Sequence, residues 1–255
     1  MRKVRNAGQI LRTKLIISTN GQSFSPYNHD QWDSRRRFLR FLLRTFGPTL
    51  IAKIGQIDGL ENIPKDGPAI LMMNHIAFID PIVVLHVVPR QIVPLAKNEV
   101  YDYPIIGIFP KLWGVITVRR EEFDRRAVRQ VMEVLDSGEI VLVAPEGTRR
   151  SQMAQGKEGI AYLGGRSGAP IVPVAIEGTP DFPALRFTSP WRGPGINVRF
   201  GQPFRYRRQF SRPKRTQLRL MTDEAMFVLA KMLPESLRGV YRDLSVATEE
   251  TIEWV

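Results

Sequence analysis

PAILMMNHIAFIDPIVVL, residues 68–85, runs from a continuous apolar stretch into a histidine, His75, and five residues later reaches an aspartate set directly before a proline. The apolar part is short and follows a proline, which is how a strand buried on both faces reads. Asp80-Pro81 reads as a helix start. Aspartate is a favoured N-cap, proline suits the first helical position, and the residue before a proline resists helical angles. A buried strand leading at once into a helix is the unit of an α/β fold, and His75 falls in the connection between them.

The pattern repeats along the 255 residues. QIVPLA (91–96), GVITV (114–118), IVLVA (140–144), APIVPVAI (169–176) and INVRFG (196–201) are further short runs rich in Val and Ile, and they predict strands. Between them, DRRAVRQVMEVLDSG predicts a helix with Val128, Val131 and Leu135 on one face and a stop at Gly138. Residues 155–168 form a weaker helical candidate because of their glycines. Residues 216–233 form a stronger one, halted at Pro234. The alternation predicts a single α/β domain with a mixed, largely parallel sheet flanked by helices.

An N-terminal amphipathic helix is expected ahead of it. In residues 35–54, Leu39, Leu42, Leu43 and Phe46 share a face, Arg36, Arg40 and Arg44 form a second stripe, and Gly47-Pro48 interrupts the pattern. Such a helix lies in a lipid interface or packs its leucines on the core. The expected division is a flexible arm over 1–34, the amphipathic region over 35–58, the main domain over 59–235 and a C-terminal tail over 236–255.

Composition narrows the chemistry. The formal net charge is +12, and from Pro183 to Thr222 ten basic residues stand without one acidic residue. That concentration suits an anionic partner, whether lipid surface, nucleic acid or phosphorylated substrate. With no cysteine, disulfides, thiolate zinc sites and thiol nucleophiles are excluded. No uncharged apolar run approaches the ~20 residues of a spanning helix.

Three predicted strand ends carry polar groups suited to a site, since ligands of open α/β sheets bind outside the carboxyl ends of strands. His75 follows Asn74 at the first. If Asp80 meets its imidazole, the carboxylate fixes the tautomer and leaves the other nitrogen free as a general base, though capping alone also accounts for Asp80. LVAPEGTRRS puts Glu146, Gly147, Thr148, Arg149 and Arg150 after a second strand. There a glycine turn and forked guanidinium groups suit phosphate oxygens. Arg119 and Arg120 close a third. The rivals have weaker signals: GRSGA around Ser167 lacks the final glycine of a nucleophile elbow, and no H-E-x-x-H metal motif occurs.

These residues resemble the boxes of the glycerophosphate and lysophospholipid acyltransferases. NHIAFID resembles the N-H-x4-D box, GVITVRR the second box with Gly114 and Arg120 in place, PEGTRR the third, and IVPVAI around Pro173 the fourth. GKEG (156–159) resembles the Lys-x-Gly segment that often follows the third. The resemblance implies direct acyl transfer to a lysophospholipid hydroxyl, foremost that of 1-acyl-sn-glycerol 3-phosphate, with His75 as base and Asp80 holding it. It implies that Arg149 and Arg120 bind the acceptor phosphate, with Asn74, Gly114, Glu146, Gly147, Thr148 and Pro173 completing the binding residues. It implies no bound cofactor or metal, with acyl-coenzyme A or acyl-carrier protein as donor. Thr117, Ala144 and Arg150 depart from the family's usual residues, which leaves acceptor identity open.

The expected setting is peripheral, on the cytoplasmic face of a membrane, with residues 35–46 and 199–219 toward an anionic bilayer. Other lysolipid or glycolipid acceptors remain alternatives. A more distant one is nucleic-acid binding, through Phe204, Tyr206 and Phe210 interleaved with arginines.

Overall fold

The computed structural model describes residues 30–50, 52–98, 108–119, 124–184 and 186–255. The apolar run after Pro68 is strand β2 (Ala69–Met73), buried along its whole length. It pairs in parallel with β5 (Ile140–Val143) on one side and β6 (Ile171–Glu177) on the other. Beyond β5 come β3 (Ile92–Lys97) and β4 (Ile116–Val118), also parallel. Beyond β6 lie β7 (Ile196–Phe200), antiparallel to it, and β1 (Ile54–Asp58), parallel to β7. The order is β1-β7-β6-β2-β5-β3-β4, the expected mixed and largely parallel sheet.

Side-chain alternation sends the sheet's residues to two cores. Ile70 and Met72 of β2 face one core, with α4 (Arg125–Asp136), α5 (Gly159–Ser167) and α6 (Arg215–Lys231). Leu71 and Met73 face the other, with α2 (Asp80–Val87) and Trp113 at the end of α3 (Ile108–Trp113). Each such side chain taken fully from water contributes roughly 1.5–3 kcal/mol, which is why the central strands are continuous apolar runs.

The first helix, α1 (Asp30–Leu50), starts within the expected arm and continues through Gly47-Pro48. A proline in the last turn removes a single N–H from the ladder and need not end the helix. Leu39 and Leu43 pack on the second core. The arginine stripe does not face outward as a unit. Arg36 is fully buried and donates to the carbonyls of Trp113 (2.7 Å) and Gly114 (3.0 Å), while Arg40 reaches the carbonyl of Pro89. The outward residues include Phe38, Phe41 and Phe46.

The C-terminal segment is no tail. Strand β9 (Ile252–Trp254) pairs with β8 (Phe204–Tyr206), which joins β6 at Ile171. Buried Glu224 of α6 fastens the segment by accepting from Thr248 Oγ1, Glu250 N, Thr251 N and Thr251 Oγ1. Phe204, Tyr206 and Phe210 are buried, so the stacking face that a nucleic-acid reading requires is absent from this stretch. Within 199–219, Arg199 pairs with Glu177 and Arg219 with Asp223.

Two neighbouring strands decide where a site lies. The connection leaving β2 goes to α2 on one face of the sheet, and the connection leaving β5 reaches α5 on the other. Their adjacent carboxyl ends therefore open a crevice at a topological switch point.

Candidate active site

His75 leaves the end of β2 in that crevice. Its Nδ1 lies 2.9 Å from Asp80 Oδ2; the Asp80 side chain is fully buried, whereas His75 is 19% exposed. Asp80 is not the N-cap that its sequence position suggests. Ile79 takes that position, with no side-chain cap, and Asp80 is the first helical residue. Its carboxylate turns back instead, and Oδ2 accepts the N–H groups of Ile76 (2.6 Å) and Ala77 (2.8 Å) as well as facing the imidazole. With an anionic oxygen there, the ring proton belongs on Nδ1 and the lone pair on Nε2, the arrangement of an oriented general base.

The loop after β5 comes against the same turn. Arg150 N donates to His75 O at 3.0 Å, and Arg149 sets its guanidinium carbon 6.0 Å from the centre of the Phe78 ring, inside the His75–Asp80 turn. Gly147 has φ +69°, and a β-carbon there would come within 3.2 Å of Lys157 Cε, so glycine permits both the turn and the approach of Lys157. Glu146 is buried and braces the loop. Its Oε2 accepts from Ala154 N (2.8 Å), and its Oε1 accepts a long contact from His75 N (3.4 Å). Burial raises the Glu146 carboxyl above its ordinary range, with the Ala154 and His75 N–H groups pulling the other way.

Other expected site residues stand elsewhere. Asn74 is buried, its amide donating to Ile176 O (2.9 Å) and accepting from Ile176 N (2.8 Å), so it ties β2 to β6. Gly114 lies before β4, at the amino end of the parallel strands, whereas His75 lies past the carboxyl end of β2. It has φ +69° and packs where a β-carbon would meet Trp32 of α1 at 2.4 Å. Its place under α1 explains the glycine, and substrate binding does not. Pro173 sits inside β6 opposite Met72, its carbonyl accepting from Gly201 N at 2.9 Å, so it belongs to the sheet interior. Thr148 lies in the loop with Gly147 and is partly buried. Arg120 lies outside the described residues, while its neighbour Arg119 is exposed at the end of β4. Ser167 closes α5, its hydroxyl donating to Leu163 O at 2.8 Å.

Behind the loop, residues from α6 and the segment after it hold Gly156. Arg219 Nη1 donates to Gly156 O (2.8 Å), and Gly156 N donates to the Tyr241 hydroxyl (3.1 Å), which in turn donates to Asp223 Oδ1 (2.9 Å). These partners are far apart in sequence and carry no local motif.

A buried carboxylate thus faces an imidazole beside an arginine-bearing glycine turn, at a topological switch point of the sheet. Residues 55–177, from β1 to the end of β6, match the family model described as Acyltransferase. Similar curated proteins include the 1-acyl-sn-glycerol-3-phosphate acyltransferases of three organisms. That of Borreliella burgdorferi is 32% identical over 130 residues (49% of this chain, 52% of that protein). That of Bacillus subtilis is 32% identical over 119 residues (46% and 60%). The chloroplastic protein of Arabidopsis thaliana is 31% identical over 165 residues (61% and 44%). The chain spans about half the length of the curated relatives it matches. The fold is similar to the crystal structure of the 1-acyl-sn-glycerophosphate (LPA) acyltransferase PlsC from Thermotoga maritima, with a TM-score of 0.51 and 20% identity over 86% of this chain and 81% of that one.

Proposed function

We propose that this protein transfers a fatty acyl group from a thioester to the free hydroxyl of 1-acyl-sn-glycerol 3-phosphate, giving phosphatidic acid. The observation that carries the reading is the 2.9 Å contact between His75 and buried Asp80, with Arg149 over the same turn. His75 Nε2 takes the hydroxyl proton as the oxygen attacks the thioester carbonyl. The tetrahedral intermediate collapses by breaking the carbon–sulfur bond, and the imidazolium returns the proton to the leaving thiolate. Asp80 stabilises the imidazolium between these steps. Arg149, with Lys157 beside Gly147, supplies positive charge for the acceptor phosphate. The donor is acyl-coenzyme A or acyl-carrier protein. No acyl-enzyme is needed, in keeping with a chain without cysteine.

The acceptor is a membrane lipid, and the protein is proposed to work on the cytoplasmic face of an anionic bilayer. The exposed surface of α1 carries Phe38 (61% exposed) and Phe41 (63%) together with Arg37 and Arg44, and α3 exposes Ile108, Leu112 and Lys111. Among the described residues no helix is long and apolar enough to cross a membrane. That surface supports interfacial binding.

A panel of lysolipids differing in headgroup, offered with one long-chain acyl-coenzyme A and analysed by mass spectrometry, tests the acceptor. The reading expects phosphatidic acid as the dominant product, and preferential acylation of a lysolipid lacking a terminal phosphate contradicts it. Flotation with anionic vesicles tests the membrane, where failure to associate at low salt removes that part.

A further inference from the structure

The loop bearing Glu146, Arg149 and Arg150 is held at its far side by residues outside the acyltransferase match. Two backbone hydrogen bonds join Met153 to the segment after α6, Met153 N to Leu237 O (2.8 Å) and Val240 N to Met153 O (3.2 Å). The approach is close enough that a β-carbon on Gly239 would stand 2.0 Å from Met153 O. Three residues on, both backbone groups of Gly156 are claimed. Its N–H goes to Tyr241 Oη and its carbonyl accepts from Arg219, while a β-carbon there would meet Met226 Cγ at 2.7 Å.

Asp223 is the keystone of this clamp. It accepts from the Tyr241 hydroxyl and takes two bonds from Arg219, at 2.8 and 2.6 Å, in a forked pair. Burial, with Asp223 adding to it, keeps the Tyr241 hydroxyl pushed up to about 12, so at neutral pH it remains a donor to Asp223 while accepting from Gly156.

Between the two clamped points lies Ala154, whose N–H is the 2.8 Å donor to Glu146 Oε2. The other Glu146 oxygen faces His75 N, and Lys157 N reaches back to Pro145 O at 2.9 Å. A continuous chain of contacts thus leads from α6 through Gly156, Ala154 and Glu146 to the backbone of His75. The same loop carries Arg149 between Glu146 and the clamped residues.

We propose that Asp223 and Tyr241 are positioning residues, which set the loop after β5 so that Arg149 meets the acceptor phosphate, although neither touches substrate. The kinetic part rests on the acyl-transfer reading; the structural part does not.

The test compares the natural protein with Tyr241→Phe, Asp223→Asn and their combination, using Lys231→Ala on the exposed side of α6 as control. Loss of positioning raises the acceptor KM roughly tenfold or more and leaves the donor KM unchanged. The double variant falls no further than the worse single one, because the two residues act as a unit. Amide hydrogen exchange, read without any substrate, is expected to quicken over residues 146–157 and to stay as it was over β2 and β6.

Unchanged exchange in 146–157 overturns the proposal. So does a fall in kcat that tracks only the folded fraction, with both KM values unaltered. If the natural protein acylates no acceptor, the proposed reaction fails, while the exchange measurement still decides whether the clamp holds the loop.

Discussion

Asp80 Oδ2 lies 2.9 Å from His75 Nδ1 and accepts the N–H groups of Ile76 and Ala77 with the same oxygen. One buried atom therefore shapes the turn and orients the base. The two roles separate by substitution. Asp80→Asn keeps an oxygen where the two N–H groups demand one, so the His75 tautomer survives while the charge that stabilises the imidazolium is lost. Asp80→Ala also leaves both N–H donors without their partner, at about 1–3 kcal/mol each for buried groups. Activity is expected to fall in the order natural, Asn, Ala. Thermal melting should separate Ala from the other two, and equal melting temperatures for Asn and Ala contradict the turn-shaping role.

Arg149 is exposed yet held over Phe78, so its removal should spare the fold and weaken the acceptor. Loss of a charge-assisted contact of about 1.5–3 kcal/mol raises the acceptor KM of Arg149→Ala roughly tenfold to a hundredfold. Arg149→Lys regains part of this, since it keeps the charge and loses the fork. Initial rates at varied acceptor and fixed donor measure it, and an unchanged acceptor KM refutes the assignment.

Glu146 has a pH signature. Burial raises its carboxyl above the ordinary value of 4.5, so the native state keeps this proton to higher pH than the unfolded chain does. The stability linked to this group is present below that ordinary value and is lost as pH rises through the raised one. Glu146→Gln lacks the titration. The melting temperature of the natural protein relative to the variant should therefore decline from about pH 4 toward neutrality. A constant difference across that range contradicts the raised value.

Arg36, fully buried, joins α1 to the carbonyls of Trp113 and Gly114. Arg36→Met fills much of the volume and removes the guanidinium that donates to both carbonyls. A cost of about 2 kcal/mol is expected, lowering the melting temperature by roughly 4–8 °C. An unaltered melting curve would show that α1 is not anchored there.

The central sheet was legible because β2, β5 and nearly all of β6, with the first half of β3, are buried on both faces and therefore spelled as continuous apolar runs. Strand β1, IGQID, shows an exposed middle and no such run, and β8 and β9 are three residues each, so pattern reading passed them by. Arg36 illustrates another limit. Its spacing matched a surface stripe, but its guanidinium is used by carbonyls 77 and 78 residues away, which no local pattern encodes. The same holds for Tyr241 and Gly156, 85 residues apart. The strand-end rule pointed to His75, Asp80 and Arg149, which the fold brings to one turn, whereas Gly114 and Pro173 came with the boxes and pack against Trp32 and within β6.

The most direct measurement of the central claim is thiol release from a long-chain acyl-coenzyme A in the presence of 1-acyl-sn-glycerol 3-phosphate and anionic vesicles, comparing the natural protein with His75→Ala. The chain has no cysteine, so a thiol reagent reports only the departing coenzyme. The account predicts release by the natural protein, with phosphatidic acid formed in step, and a fall of roughly 10²–10⁴-fold in a variant that melts normally. Equal release by the two proteins contradicts it.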